Sequence, residues 1–455
     1  MRILRFLQLV HRLRLQASVR TATTAPDDAP RSREKLRTDA PTFMKLLVVS
    51  SWFPYPPNNG SKLRAYHLLA RLANRHAITL LSFAESGEEG GSPSLAAFCE
   101  QVVTVPGNPF KSEKPPSARQ LFGALPRSLA QTYNTQMQAL VDVKIVACDA
   151  ALAFQLGAAP YLRPHVSVPR VLDEIEIGVF RDNYRAQPMS LRRVRRGLTW
   201  WKYARFVRDL VTQFDRSTVV SERERSCLAE AGCDVTRVDV VPNGVDRTDF
   251  AKSNHARKRG ALIYSGAVTY SANLDAVRYF VAEILPRIRA VRPNVLLQVT
   301  GTTGNVNVGD LTLGGAVNFT GHVEDVKALV AESCVCVVPL RIGGGTRLKI
   351  LESMALGTPV VSTSKGAEGL AVTPEEDILI ADTPEDFARQ TVRLLDDPNL
   401  RARLAANARR LVEHQYTWDR IGAQLSDIIE NAAAHRSAQR RTARVEEGIA
   451  PRAHA

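Results

Sequence analysis

Short, almost unbroken apolar runs recur through this chain, each followed by a stretch of helical periodicity, and the alternation comes in two successive series. In the first series, residues 46–50, 77–83, 102–105, 150–154, 170–173 and 216–221 read as strands, with helices at 61–73 and 222–231. Runs that do not alternate apolar with polar are buried on both faces, as in a parallel sheet covered by helices. At 240–246, VVPNGVD, a strand runs into a turn, and a charged loop follows to about residue 260. The second series then has strands at 262–265, 295–300 and 317–320, and helices at 275–290 and 326–332. Helices at 385–395, 400–414 and 418–432 close the chain. A length of 455 residues exceeds one ordinary core. The pattern predicts the α/β class, with two Rossmann-like domains that each take ligands beyond the carboxyl ends of their strands.

The segment 337–369, VVPLRIGGGTRLKILESMALGTPVVSTSKGAEG, carries the most chemistry. It reads as strand, glycine turn (Gly343, Gly344, Gly345), helix 347–356 with Thr346 as N-cap, C′ glycine Gly357, and a strand opened by Pro359. A helix N-terminus behind a glycine turn favours anions, because unpaired N–H groups and the positive dipole end face the ligand. Arg347 and Lys349 add cations, and Glu352 supplies an acceptor-only group suited to sugar hydroxyls. The same segment also suits an ordinary βαβ unit. It does not fit the P-loop pattern, since no Lys-Ser/Thr pair follows a glycine at the required spacing.

The formal charge is +14. Residues 1–43 hold nine Lys/Arg against four Asp/Glu, and residues 436–455 five against two, so about half of the excess lies in the tails. That argues weakly for nucleic acid and better for anionic substrates or an anionic membrane face. No run approaches the roughly 20 apolar residues of a membrane span. The six cysteines form no paired CxxC or Cys/His set, so they read as reduced thiols of a cytoplasmic protein rather than zinc ligands. Residues 1–43 read as a disordered basic leader, either a transit or anchor segment or the product of a start codon placed too early, because Met44 opens the first strand. Residues 185–209 are basic and interleaved with Trp200, Trp201, Tyr203 and Phe206, which suits an interfacial helix or a core-facing aromatic edge under a solvated arginine face.

Several further pieces in order, FPYPPNNGSKLR at 53–64, Ser221-Glu222, PNGVD at 242–246, YSGAVTYSANLDAV at 264–277 and FTGHVEDV at 319–326, join this segment to resemble the retaining, nucleotide-sugar-dependent glycosyltransferases of family 4. The GGGTRLK-LE flavour is similar to polysaccharide-associated members. The resemblance implies the GT-B fold: two Rossmann-like domains facing across a cleft, with a C-terminal helix crossing back to the first. The expected divisions are an acceptor domain over 44–243, a donor domain over 244–415, a crossover helix over 416–432 and a disordered tail over 433–455. It implies transfer of a hexose from a UDP- or GDP-sugar to a glycan or lipid-linked acceptor with retention of configuration, without metal or other cofactor. The expected setting is cytoplasmic, with peripheral contact on the inner membrane face and no nucleic-acid partner. Glu352 matches the glutamate that holds the donor ribose. Gly343, Gly344, Gly345 and Thr346 match the loop at donor sugar and diphosphate, and Gly60 and Lys62 the flexible loop that closes over the diphosphate. Gly266, in the opening motif of the second domain, is expected at the donor, and Glu368 either contacts a sugar hydroxyl or caps a turn.

The chain also departs from the family. Its members carry two glutamates eight residues apart, and the earlier falls on Gly344. Their diphosphate-binding Arg and Lys fall near Ala267 and Ala272, so Arg347 and Lys349 are expected to carry that charge. Their acceptor-domain histidine falls on Ile175, leaving Asp173, Glu174 and Glu176, of which Asp173 is taken as catalytic together with Arg347 and Lys349. Two alternatives stay open: a GT-B nucleotide-sugar epimerase or phosphorylase, and a non-catalytic sugar-nucleotide-binding module.

Overall fold

The computed structural model describes residues 43–85, 87–88, 92–108, 126, 133–251, 256–344 and 347–449. The expectations placed on residues 1–42, Gly345 and Thr346 lie outside the described residues.

The first sheet holds β1 (Met44–Ser50), β2 (His76–Ala84), β3 (Gln101–Pro106), β4 (Ala150–Phe154), β5 (Arg170–Asp173), β6 (Arg216–Val219) and β7 (Val238–Val240). Their spatial order is β3-β2-β1-β4-β5-β6-β7. The second holds β8 (Ala261–Ser265), β9 (Leu296–Thr300), β10 (Val317–Gly321), β11 (Val335–Val338), β12 (Val360–Ser362) and β13 (Leu379–Ile380), ordered β10-β9-β8-β11-β12-β13. All pairings are parallel, with Leu46 to Ser50 in register with Ala150 to Phe154 in the first sheet. Each sheet therefore reverses winding once, between β1 and β4 and between β8 and β11. A crevice opens at each such switch point, and the candidate site is built on these two.

The apolar runs are buried as their composition demands; Leu46, Leu47, Val48 and Val49 of β1 have no exposed surface. The helix predicted over 275–290 is broken: Ser271–Tyr279 passes through a π turn, Phe280–Ile284, into Leu285–Val291. Pro286, which has no N–H to donate, accounts for the misfit. The last helix runs Trp418–Ile449, well past the predicted end at 432, so the expectation of a disordered tail over 433–449 is corrected. Its apolar side (Trp418, Ile421, Leu425, Ile429) joins the core formed by β1, β2, β4 and the helix α1 (Gly60–Leu72), while residues 245–416 build their own core. Trp418 stacks on His67 of α1 with centroids 5.1 Å apart. The six cysteines are free. Among the described residues no helix is long and apolar enough to cross a membrane.

Candidate active site

On the second sheet, the loop leaving β11 leads into α2 (Leu348–Ala355), as the glycine turn predicts, and Gly357 ends it with φ 74°. Lys349, in the first turn, reaches over the end of β8. Its Nζ donates to Asn273 Oδ1 at 3.0 Å and lies 4.0 Å from the Tyr264 ring. Tyr264 Oη donates to the same oxygen at 2.7 Å, and Asn273 Nδ2 donates to the Ala267 carbonyl at 2.9 Å, so the lysine is held by a fixed network. Gly266, which ends β8, makes this approach possible: φ is 147°, and a Cβ there would come within 2.9 Å of Lys349 Nζ. Burial, reinforced by Arg347, pulls the Lys349 ammonium down to about 7.

Glu352 lies one turn on from Lys349. Its carboxylate makes no hydrogen bond or ion pair with any described residue, unlike those of Asp173, Asp182 and Glu368. Burial pushes it up to about 7; Lys327 opposes that and Asp249, itself ion-paired to Lys327, adds to it. A carboxylate left without donors is costly unless a ligand supplies them, and a vicinal diol offers two. Gly60 is the first residue of α1, with Asn59 as the cap accepting from the Lys62 N–H at 3.0 Å. A Cβ on Gly60 would lie 3.9 Å from Leu348, so the N-termini of α1 and α2 converge from the two domains. Two positive dipole ends and Lys349 thus face one space.

Other expected residues are engaged differently. Arg347 is engaged by the loop that precedes its helix. Its Nη1 donates to the Gly344 carbonyl at 2.8 Å, and Nη2 to those of Gly343 and Lys365 at 3.0 and 3.1 Å. It is a strut shaping the glycine loop, where the sequence led to the expectation of a cation facing the phosphate. Lys62 is buried and ion-paired to Glu88. Glu368 pairs with Lys365 and with Arg223 of the first domain, both at 2.6 Å, and both cations also hold Asp182. Burial alone would raise the Asp182 carboxyl, but Lys365 and Arg223 hold it below its usual range. These four charges form a ring across the cleft. Asp173 cannot act on a substrate here. It and Arg64 are both 0% exposed, joined by paired bonds of 2.7 and 2.8 Å, with Thr218 Oγ1 donating to the aspartate at 2.6 Å. Arg64 Nη1 goes on to the Pro242 carbonyl and Asn243 Oδ1, both at 2.9 Å, which ties the strand ends of the first domain to the segment that leads into the second.

Just past Asp173 the backbone is strained. Glu174 at φ 61° and Gln155 at φ 69°, at the ends of β5 and β4, are hydrogen-bonded to each other at 2.9 Å. Burial pushes Glu174 up to about 7 against the pull of Arg64. Beyond it, the Ile175 N–H donates to the Thr218 carbonyl and the Ile177 and Gly178 N–H groups to Glu224 Oε2, fixing the turn that carries Glu176. Gln155, Asn273, Tyr264, Arg64 and the ring members Asp182, Arg223 and Lys365 were not singled out from sequence. Their partners lie up to 183 positions away, and no local pattern marks them.

Two family profiles lie end to end on the chain: Glycosyltransferase Family 4 over residues 58–249 and Glycosyl transferases group 1 over residues 259–397. Together with the two facing Rossmann-like sheets they define a GT-B glycosyltransferase, and the chain belongs to that family. It is 20% identical to an uncharacterized 44.6 kDa protein of the Klebsiella pneumoniae cps region, over 83% of this chain and 97% of that one. It is 24% identical to a Corynebacterium glutamicum GDP-mannose-dependent monoacylated alpha-(1-6)-phosphatidylinositol monomannoside mannosyltransferase, over 50% of this chain and 64% of that protein. Among solved structures it resembles Anabaena HepE in complex with UDP and glucose, with a TM-score of 0.60 and 14% identity, over 85% of this chain and 99% of that one.

Proposed function

We propose that this glycosyltransferase is a retaining hexosyltransferase of polysaccharide or lipid-linked glycan assembly, drawing on a UDP- or GDP-sugar without a metal cofactor. The observation that carries this reading is Glu352, an unpartnered carboxylate beside Lys349 at the switch point of the second sheet, where it would take the ribose hydroxyls. The diphosphate then lies between the converging N-termini of α1 and α2, against Lys349. Charge that grows on the leaving diphosphate is met by groups already in place. With retention, the acceptor hydroxyl attacks from the face the diphosphate leaves, and the departing phosphate takes its proton. The Anabaena neighbour with UDP and the GDP-mannose-dependent relative support a nucleotide-sugar donor. A panel of labelled UDP- and GDP-sugars, read for transfer and for slow donor hydrolysis, tests the reading. Turnover of none of them, or activity lost in EDTA and regained with Mn²⁺, would overturn the reaction or its metal independence respectively.

The acceptor domain also presents a surface suited to an anionic membrane. The helix Leu191–Gln213 buries Tyr203, Phe206, Val207 and Leu210, so part of its aromatic edge is core. Its opposite side exposes Leu191, Val194, Leu198 and Trp201, at 89%, 69%, 50% and 50%, flanked by exposed Arg192, Arg195 and Arg205. No acidic residue occurs between Asp182 and Asp209. Each such cation near an anionic leaflet contributes about 1 kcal/mol. Co-sedimentation with phosphatidylglycerol vesicles, compared with a Trp201→Ala, Arg192→Gln, Arg195→Gln, Arg205→Gln variant, decides it. Equal sedimentation of the two proteins removes the membrane contact.

A further inference from the structure

Glu176 stands on the first domain yet faces the second. A Cβ built on Gly344 would come within 2.9 Å of Glu176 Oε1, so the carboxylate occupies the space that a side chain at 344 would fill. Gly344 does not have positive φ, so its backbone would accept a side chain; the obstacles near its Cβ are Glu176 and, at 3.9 Å, Val179. Like Glu352, Glu176 makes no hydrogen bond or ion pair with any described residue. Burial raises its carboxyl, with Glu224 adding and Arg347 and Arg223 opposing. Its aim is not accidental: Ile175 and Ile177 on either side are fully buried, and three backbone N–H bonds fix the turn. The structure thus holds a partnerless acceptor group rigidly against the loop that leads into the donor helix.

Resting on the donor reading above, we propose that Glu176 is a substrate-contacting residue that receives hydroxyls of the transferred sugar, so that the donor's sugar subsite is completed by the acceptor domain. A carboxylate only accepts hydrogen bonds, which excludes the diphosphate, itself anionic and acceptor-rich. Once Glu352 holds the ribose, the donors left on a nucleotide sugar are the base N–H groups, which UDP and GDP share, and the sugar hydroxyls, which they lack. The arrangement also makes sugar binding conditional on the two domains facing each other, because Glu176 and Gly344 lie in loops that follow strands of different sheets, β5 and β11.

The test measures binding of UDP, UDP-glucose, GDP and GDP-mannose to the wild-type chain and its variants, without acceptor. Glu176→Ala and Glu176→Gln should each weaken the bound nucleotide sugar roughly tenfold while leaving the matching nucleoside diphosphate unchanged, as expected for losing a charged hydrogen bond. Gly344→Glu alone, pressing a second carboxylate onto the first, should also lower sugar binding. Combined with Glu176→Ala it should restore most of the preference for nucleotide sugar over diphosphate. Equal weakening of both ligands by Glu176→Gln, an unchanged preference in both single variants, or no recovery in the double variant would overturn the proposal. Failure of the wild-type chain to bind any of the four would instead remove the donor reading on which it rests.

Discussion

The strand-end segment of the first domain, residues 173–178, and the donor-helix segment of the second, residues 347–352, carry a comparable density of charge and opposite net sign, yet they use it in the same order. In the first, the leading residue Asp173 is buried against Arg64 and the trailing Glu176 is open. In the second, the leading residue Arg347 is spent on loop carbonyls, and the later Lys349 and Glu352 face the crevice. In both, the first charged residue builds the turn and a later one is free to meet a ligand. A charge in a cleft is evidence of function only when the fold has not already given it a partner.

The comparison breaks most readily at Arg64. Arg64→Ala should destabilise the fold by about 3–5 kcal/mol, because it strands Asp173 in the core; equilibrium unfolding in urea measures it. A variant with unchanged stability but lost activity would return Asp173 to the reacting atoms. Next comes Lys349→Ala, expected to cost kcat about 10²–10³-fold, as for removal of one group that meets developing charge. Arg347→Ala should instead lower stability and raise KM through a loosened loop, and a loss confined to kcat would place its guanidinium on the phosphate after all. Glu352→Gln separates binding from folding. It should weaken nucleotide binding by about 1.5–3 kcal/mol, as for a lost charged acceptor, yet raise the Tm at pH 8. The sign follows from a folded carboxyl near 7 against about 4.3 unfolded. Stability falls as pH rises between these values and the penalty is complete above 7, so the gain should vanish by pH 4; a gain independent of pH would contradict the open carboxylate. The smallest effect is expected at the partly exposed ring, where Arg223→Ala should change stability by under about 1 kcal/mol and less still in high salt.

Much of this arrangement was legible in the chain. Near-continuous apolar runs gave most strands to within a residue or two, because burial on both faces leaves no other composition available. The two-residue β13 was not visible, since two residues carry no periodicity. The last helix outran its predicted end because the apolar face stops at Ala432, while the Ala- and Arg-rich stretch beyond it adds to helix propensity the contacts of Arg436 and Arg440 with the Val166 and Ser167 carbonyls and of Arg436 with Asp215. At the site, Glu352 and Lys349 could be picked out from a local motif. The commitment of Asp173 could not, for Arg64 lies 109 positions earlier. Nor could the strut role of Arg347, whose partners are backbone carbonyls that any sequence offers.

The way the last helix docks also bears on biosynthesis. Leu68, Leu69 and Leu72 of α1 are packed with Ile421, Leu425 and Ile429, which leave the ribosome more than 300 residues later. During translation the first domain therefore waits with an uncovered greasy strip, while the whole second domain is made and folds. A chain interrupted just before Trp418 would keep the second domain's core whole and leave the first domain's uncovered. That makes the nascent first half a natural client for chaperones, and an unsuitable fragment to express by itself.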